Sequence, residues 1–173
     1  MDSVHQIFLD CSAQRLRQMV GRLETCVNSL TEEQIWARSC DHENAIGNLL
    51  LHLNGNVRQW ILSGVGGHPD ARQRDAEFAA RDGARGPDLV ARLKETVEEA
   101  VAVLSPLTPD RLVQRIVVQH YDASILEAIY HVVEHFSGHT GQIIFATKML
   151  TGADLGFYRH LRDAAVPHEK KTP

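Results

Sequence analysis

Three histidines stand four residues apart at His131, His135 and His139, in a chain of 173 residues that carries ten histidines in all. Residues four apart on a helix lie one above the other, so this ladder can present neighbouring imidazoles to a single ion. Neutral imidazole is a common metal ligand, and an ion that keeps an open coordination position takes three protein ligands. Ten histidines scattered at random give one such pair in about half of all chains of this size, but a ladder of three in only about 3% of them. The ladder therefore carries weight that a pair would not.

A helical wheel separates its members. At about 100° per residue, with His131 at zero, His135 falls at about 40° and His139 at about 80°. The apolar residues Ile125, Ile129, Val132, Val133, Phe136, Ile143 and Thr147 centre near about 150°. His139 thus sits on the edge of the apolar face, His135 just outside it and His131 nearer solvent, where it suits a supporting or surface role. A third ligand must come from another helix. His52 lies inside a long helical pattern, about 120° from the centre of its apolar face, with Leu49, Asn56 and Trp60 between. Two helices offering rim histidines to each other build an accessible site at the mouth of a bundle. The same pattern also fits His52 as a hydrogen-bonded boundary residue and the ladder as a polar helix edge. His5, His42, His68, His120, His160 and His168 read as surface or loop residues.

The elements that would position these residues follow from apolar spacing. Val4, Ile7, Phe8, Cys11, Leu16, Met19, Val20, Leu23, Val27 and Leu30 mark a first long helix. Thr31 and Gln34 make a capping box for a short second segment. Another long helix runs from about Ala45 to Ser63 and stops at Gly64-Val65-Gly66-Gly67. Residues 65–86 have no sustained period and mix four arginines with four acids, which predicts a long loop, with a turn of helix around Glu77–Ala80, bordering the site mouth. Pro87 opens a third long helix that Pro106 and Pro109 end. The β-branched stretch Arg115–Tyr121 is the one expected place for strand. Ser124 and Glu127 cap a fourth helix that reaches about Leu150, before Thr151-Gly152. The expected architecture is all-α: a four-helix bundle with a long loop between its second and third helices, formed by residues 1–173 as a single domain.

Composition bounds the partners. Hydrophobic residues at 43% and charged residues at 23% are ordinary for a globular chain, and one of this length can bury about 70% of its unfolded surface. A net charge of −4 argues against a general nucleic-acid binder. No apolar run of about 18 residues and no signal-peptide layout are present, so neither a membrane nor a secreted location is expected, and the cytoplasm is. Cys11, Cys26 and Cys40 form no metal-binding or redox motif and read as reduced thiols. Leu51 and Leu62 fall opposite the core stripe of their helix, as a dimer contact or as a contact with the 65–86 loop.

These residues carry a resemblance. His131-Val-Val-Glu-His135-Phe-Ser-Gly-His139-Thr140-Gly141-Gln142 resembles the fourth-helix motif of the DinB/YfiT-like superfamily of proposed metalloenzymes, and Leu49-Leu50-Leu51-His52-Leu53 looks like its second-helix segment. Arg74-Asp75-Ala76-Glu77-Phe78 and Leu155-Gly156-Phe157-Tyr158 extend the likeness along most of the chain. It implies a four-helix bundle with a divalent metal, zinc or nickel foremost, on His52, His135 and His139. Thr140 stands where much of the superfamily has arginine, which removes any anion-holding role at that position. Gly141 would allow close helix approach. Gln142, at about 20° on the wheel, would hydrogen-bond a ligand imidazole or lie exposed, and Asn56 and His131 are further candidates for a supporting role. The better understood members resemble enzymes that activate a low-molecular-weight thiol, and dimers are common among them. The expectation is a homodimer that transfers such a thiol to a small electrophile. A metal-dependent hydrolase is the alternative, with Glu134 too far round the helix to serve as its base, and a non-catalytic metal-binding stress or partner-binding protein is the third reading. Bound metal would leave as pH falls through roughly 6, since imidazole must be neutral to ligate.

Overall fold

The long 3.6-residue periods become helices. A computed structural model describes residues 3–161; His168 lies outside them. In chain order the elements are α1 (Val4–Val27), α2 (Glu32–Trp36), α3 (Ile46–Val57) continued by a π-helical segment (Arg58–Val65), α4 (Arg74–Ala79), α5 (Gly86–Leu104), α6 (Pro109–Leu112), β1 (Arg115–Val118), β2 (Tyr121–Ser124) and α7 (Ile125–Thr151), then a 3₁₀ turn at Arg159–Leu161. The chain is mostly helical, with one small antiparallel sheet. α1 and α3 each pack against both α5 and α7. Between them lies one core in which Leu16, Leu23, Leu53, Leu93, Ile129 and Phe136 are fully buried. Among the described residues no helix is long and apolar enough to cross a membrane.

Both capping boxes form. Gln34 N donates to Thr31 Oγ1 at 3.2 Å while Thr31 N donates to Gln34 Oε1 at 2.9 Å. At the start of α7, Glu127 N donates to Ser124 Oγ at 3.2 Å and Ser124 N donates to Glu127 Oε2 at 2.7 Å. These contacts fix where α7, and with it the histidine ladder, begins.

Several expectations are corrected. Along α1, Val4 and Ile7 are 85% and 51% exposed and Cys11 is exposed, whereas Leu9 and Ser12 are buried. Ser12 can enter the core because its hydroxyl donates to the Phe8 carbonyl at 2.7 Å, so the true stripe contains a residue that an apolar count skips. Within residues 65–86 the turn of helix expected around Glu77–Ala80 is a longer element that starts earlier, α4 at Arg74–Ala79. That helix has no buried face of its own and so shows no period. Tertiary hydrogen bonds hold it instead: the Asn48 amide donates to the Glu77 and Ala80 carbonyls at 2.8 and 2.9 Å. The strand content extends past Tyr121 to Ser124, in a hairpin registered Arg115↔Ser124 to Val118↔Tyr121. Its turn residues, Gln119 and His120, both have positive φ without the Asn-Gly signature that usually announces such a turn. Leu62 is buried and Leu51 half-buried; both line a cavity beside residues 68–77, so they form no exposed pair. A Cβ at Gly141 would meet nothing within 4 Å, so this glycine serves no close helix approach.

Candidate metal centre

α3 and α7 bring His52, His135 and His139 to one point. His52 Nε2 lies 3.1 Å from His135 Nε2, and His139 Nε2 lies 3.2 Å from the same atom. One ring nitrogen from each histidine lies within 4.8 Å of the other two, and together they could hold a metal ion. His52, expected at the rim, is 5% exposed; the segment carrying α4 folds over it.

The far side of two of these rings decides what the near side offers. His52 Nδ1 lies 3.0 Å from Glu77 Oε2, and His139 Nδ1 lies 2.8 Å from Gln142 Oε1. Both of these partners are acceptors and favour a proton on each Nδ1, which leaves each Nε2 a lone pair for the cluster, although Arg72 Nη2, 3.1 Å from His52 Nδ1, competes there as a donor. His135 Nδ1 is buried without a hydrogen-bond partner among the described residues. The three Nε2 atoms converge at hydrogen-bond distance, and a cation among them would satisfy all three. The donor set fits a borderline metal that accepts imidazole nitrogen.

Glu77 is itself held. Arg72 donates from Nε to Glu77 Oε1 at 2.7 Å and from Nη2 to Oε2 at 2.8 Å, with side chains 3% and 11% exposed. Burial works to raise the Glu77 carboxyl, but the Arg72 and His52 contacts outweigh it and hold it below its usual range. The carboxylate can approach α3 this closely because residue 55 is glycine; a Cβ there would overlap Glu77 Oε1. Phe78 covers His52 at 4.7 Å between ring centroids, and the Arg74 guanidinium stacks over Phe78 at 4.9 Å. The 65–86 segment therefore borders the cluster. Sequence reasoning gave Glu77 and Arg72 no role. Their signals were the run of paired charges after the helix that bears His52 and, for Glu77, its place in the Arg74–Phe78 segment of the family likeness.

The remaining candidates fall nearby. His131 is outside the group of three; its ring is 5.5 Å from that of His135 and 4.4 Å from Trp60. Gln142 holds His139, as above. Asn56 is buried with its Oδ1 unpartnered among the described residues. Thr140 is buried and points no charge anywhere, and Glu134 is exposed. A cavity of about 510 Å³ adjoins the cluster, with His52, His135, His131, Asn56, Trp60 and Tyr121 in its wall.

Burial, reinforced by His139, His52 and His131, pushes His135 down to about 3, and burial also lowers His139 and His131. The unfolded chain, with histidines near 6.5, then binds protons that the folded chain refuses. In metal-free protein the denaturant midpoint should hold steady above about pH 6.5 and fall as pH drops below it. A midpoint that rises on acidification would contradict this.

A family model described as a protein of unknown function, DUF1572, matches residues 3–161. A crystal structure of a conserved protein from Enterococcus faecalis superposes with a TM-score of 0.69 at 14% identity, covering 88% of this chain and 100% of that one. At that identity the likeness is one of fold. No curated protein sequence matches the chain.

Proposed function

The chain belongs to the DUF1572 family of proteins of unknown function, and we propose that it is a divalent-metal enzyme of the DinB/YfiT-like four-helix-bundle kind, with His52, His135 and His139 as its ligands. The observation that carries this reading is the convergence of three Nε2 atoms, two of them on rings whose Nδ1 faces an acceptor, Glu77 or Gln142. Zinc and nickel both suit three neutral imidazoles. Such an ion lowers the pKa of a bound thiol or water and polarises a carbonyl.

The favoured reaction is transfer of a low-molecular-weight thiol to a small electrophile. The carboxylates around the cavity are already committed. Glu77 serves Arg72 and His52, while Asp122 and Glu127 pair with Arg115. Attack by water needs a positioned base, whereas a thiol beside the ion needs only to lose its proton. The chain's own cysteines do not line the cavity, so the thiol is a substrate. His131 favours a second reading, metal-dependent hydrolysis: its ring lines the cavity, and burial keeps it neutral enough to accept a proton.

Untagged protein, metal-loaded or stripped by chelation, would be incubated with a small electrophile and a panel of thiols. Electrophile consumption that requires both metal and thiol is the expected result. Thiol-independent turnover lost in His131→Gln would replace it with the hydrolase reading, and no turnover with any thiol would leave a non-catalytic metal protein.

A further inference from the structure

Besides His135 Nδ1, two residues of the cavity wall carry a buried polar atom with no partner among the described residues. Asn56 is 3% exposed, and its Oδ1 accepts no hydrogen bond from any described residue; Trp60 is 4% exposed, and its indole Nε1–H donates none. The other tryptophan shows the usual state: Trp36 donates its Nε1–H to the Ala84 carbonyl at 3.1 Å. Buried polar groups are nearly always satisfied, so each exception needs an account.

Their placement supplies one. Asn56 follows His52 by four residues, and Trp60 follows Asn56 by four, so the three share a face. That face meets α7, with His52 against His135 and Trp60 against His131. The cavity therefore runs from the three histidines to an aromatic end, where Trp60 meets the His131 ring at 4.4 Å and Tyr121 of β2 at 6.4 Å. Trp60 lies in the π-helical segment, a local departure from α-geometry that recurs at functional sites. Arg72, Asp122, Glu127 and Arg74 also border the cavity; the first three are each in an ion pair, and the Arg74 guanidinium is stacked over Phe78.

We propose that this end of the cavity is a binding subsite for a neutral, planar molecule bearing a carboxamide. The amide carbonyl accepts from Trp60 Nε1–H, the amide N–H donates to Asn56 Oδ1, and the planar part rests on the aromatic wall. Neither residue is one of the three histidines, so the subsite stands independently of the metal.

The test follows the two indole N–H signals of ¹⁵N-labelled wild-type protein, metal-free and zinc-loaded, during titration with benzamide, benzoate or toluene. Benzamide should move the Trp60 signal saturably and leave that of Trp36 in place. It should bind about tenfold more tightly than benzoate or toluene, and Asn56→Ala should weaken it about tenfold. Toluene binding as well as benzamide would reduce the subsite to an apolar slot and overturn the proposal. So would tighter binding of benzoate, which would assign the site to the Arg74 guanidinium, or a Trp60 signal that benzamide does not move. The wild-type titration needs no variant to fold. A protein that takes up no zinc yet shows the Trp60 shift would sink the metal reading and leave this one standing.

Discussion

His52→Ala, His135→Ala and His139→Ala should each take bound metal from about one ion per chain to almost none, while His131→Ala leaves it near one. Each of the three supplies one nitrogen to a cluster whose members lie within 4.8 Å of each other, and two ligands alone make a weak site. His131 is a turn removed on α7 and packs its ring on Trp60, so its loss should cost at most the about 10–100-fold in affinity typical of a group beside the ligands. Metal per chain after dialysis, for the four single variants side by side, decides the matter. If His131→Ala empties the site and His52→Ala leaves it full, the ligand set is wrong.

Glu77→Ala should destabilise the protein by about 3–5 kcal/mol, the usual cost of leaving one member of a buried ion pair alone. Arg72, 3% exposed, would keep Gln59, the edge of His52 and the more distant charge of Asp70 as neighbours for its charge. His52 would also lose the acceptor that fixes its Nδ1 proton, with metal affinity falling about 10–100-fold. The two effects can be separated. Glu77→Gln keeps an acceptor but drops the charge, so it should retain more metal than alanine does, and Arg72→Met with Glu77→Leu should cost less stability than Glu77→Ala alone, because no unpaired charge remains. Urea unfolding of the three variants would show this. A Glu77→Ala penalty below about 1 kcal/mol would mean the pair is not an integral part of the folded state.

What the sequence revealed depended on whether a residue's role left a period. The ladder at His131, His135 and His139 is written in helical spacing and marked His135 and His139 as candidates; spacing alone put His52 at a rim and left its role open, whereas the fold buries it against both. Thr31-Gln34 and Ser124-Glu127 were legible because a capping box has a fixed local spacing. α4 was legible only as a turn around Glu77–Ala80, because it buries no face and is held by Asn48 from another helix, a contact with no local signature. Glu77 reaches His52 across 25 residues of chain, and no periodicity links the two. Ser12 and the Gln119-His120 turn were missed because each departs from the residue type that usually marks its position.

Gly55 adds a different kind of constraint. The position has no side chain to mutate away, yet the space it leaves is filled by the carboxylate of Glu77. Residues 55 and 77 are therefore one unit of inheritance. In descendants and relatives of this chain, a lineage that acquires any side chain at position 55 must first release the acid at position 77. A lineage that has lost the acid, and whose Arg72 side chain has shifted, is free to vary at position 55. The two columns of an alignment should consequently change together, and Gly55, which touches none of the three histidine rings, should be kept as faithfully as the histidine three residues before it.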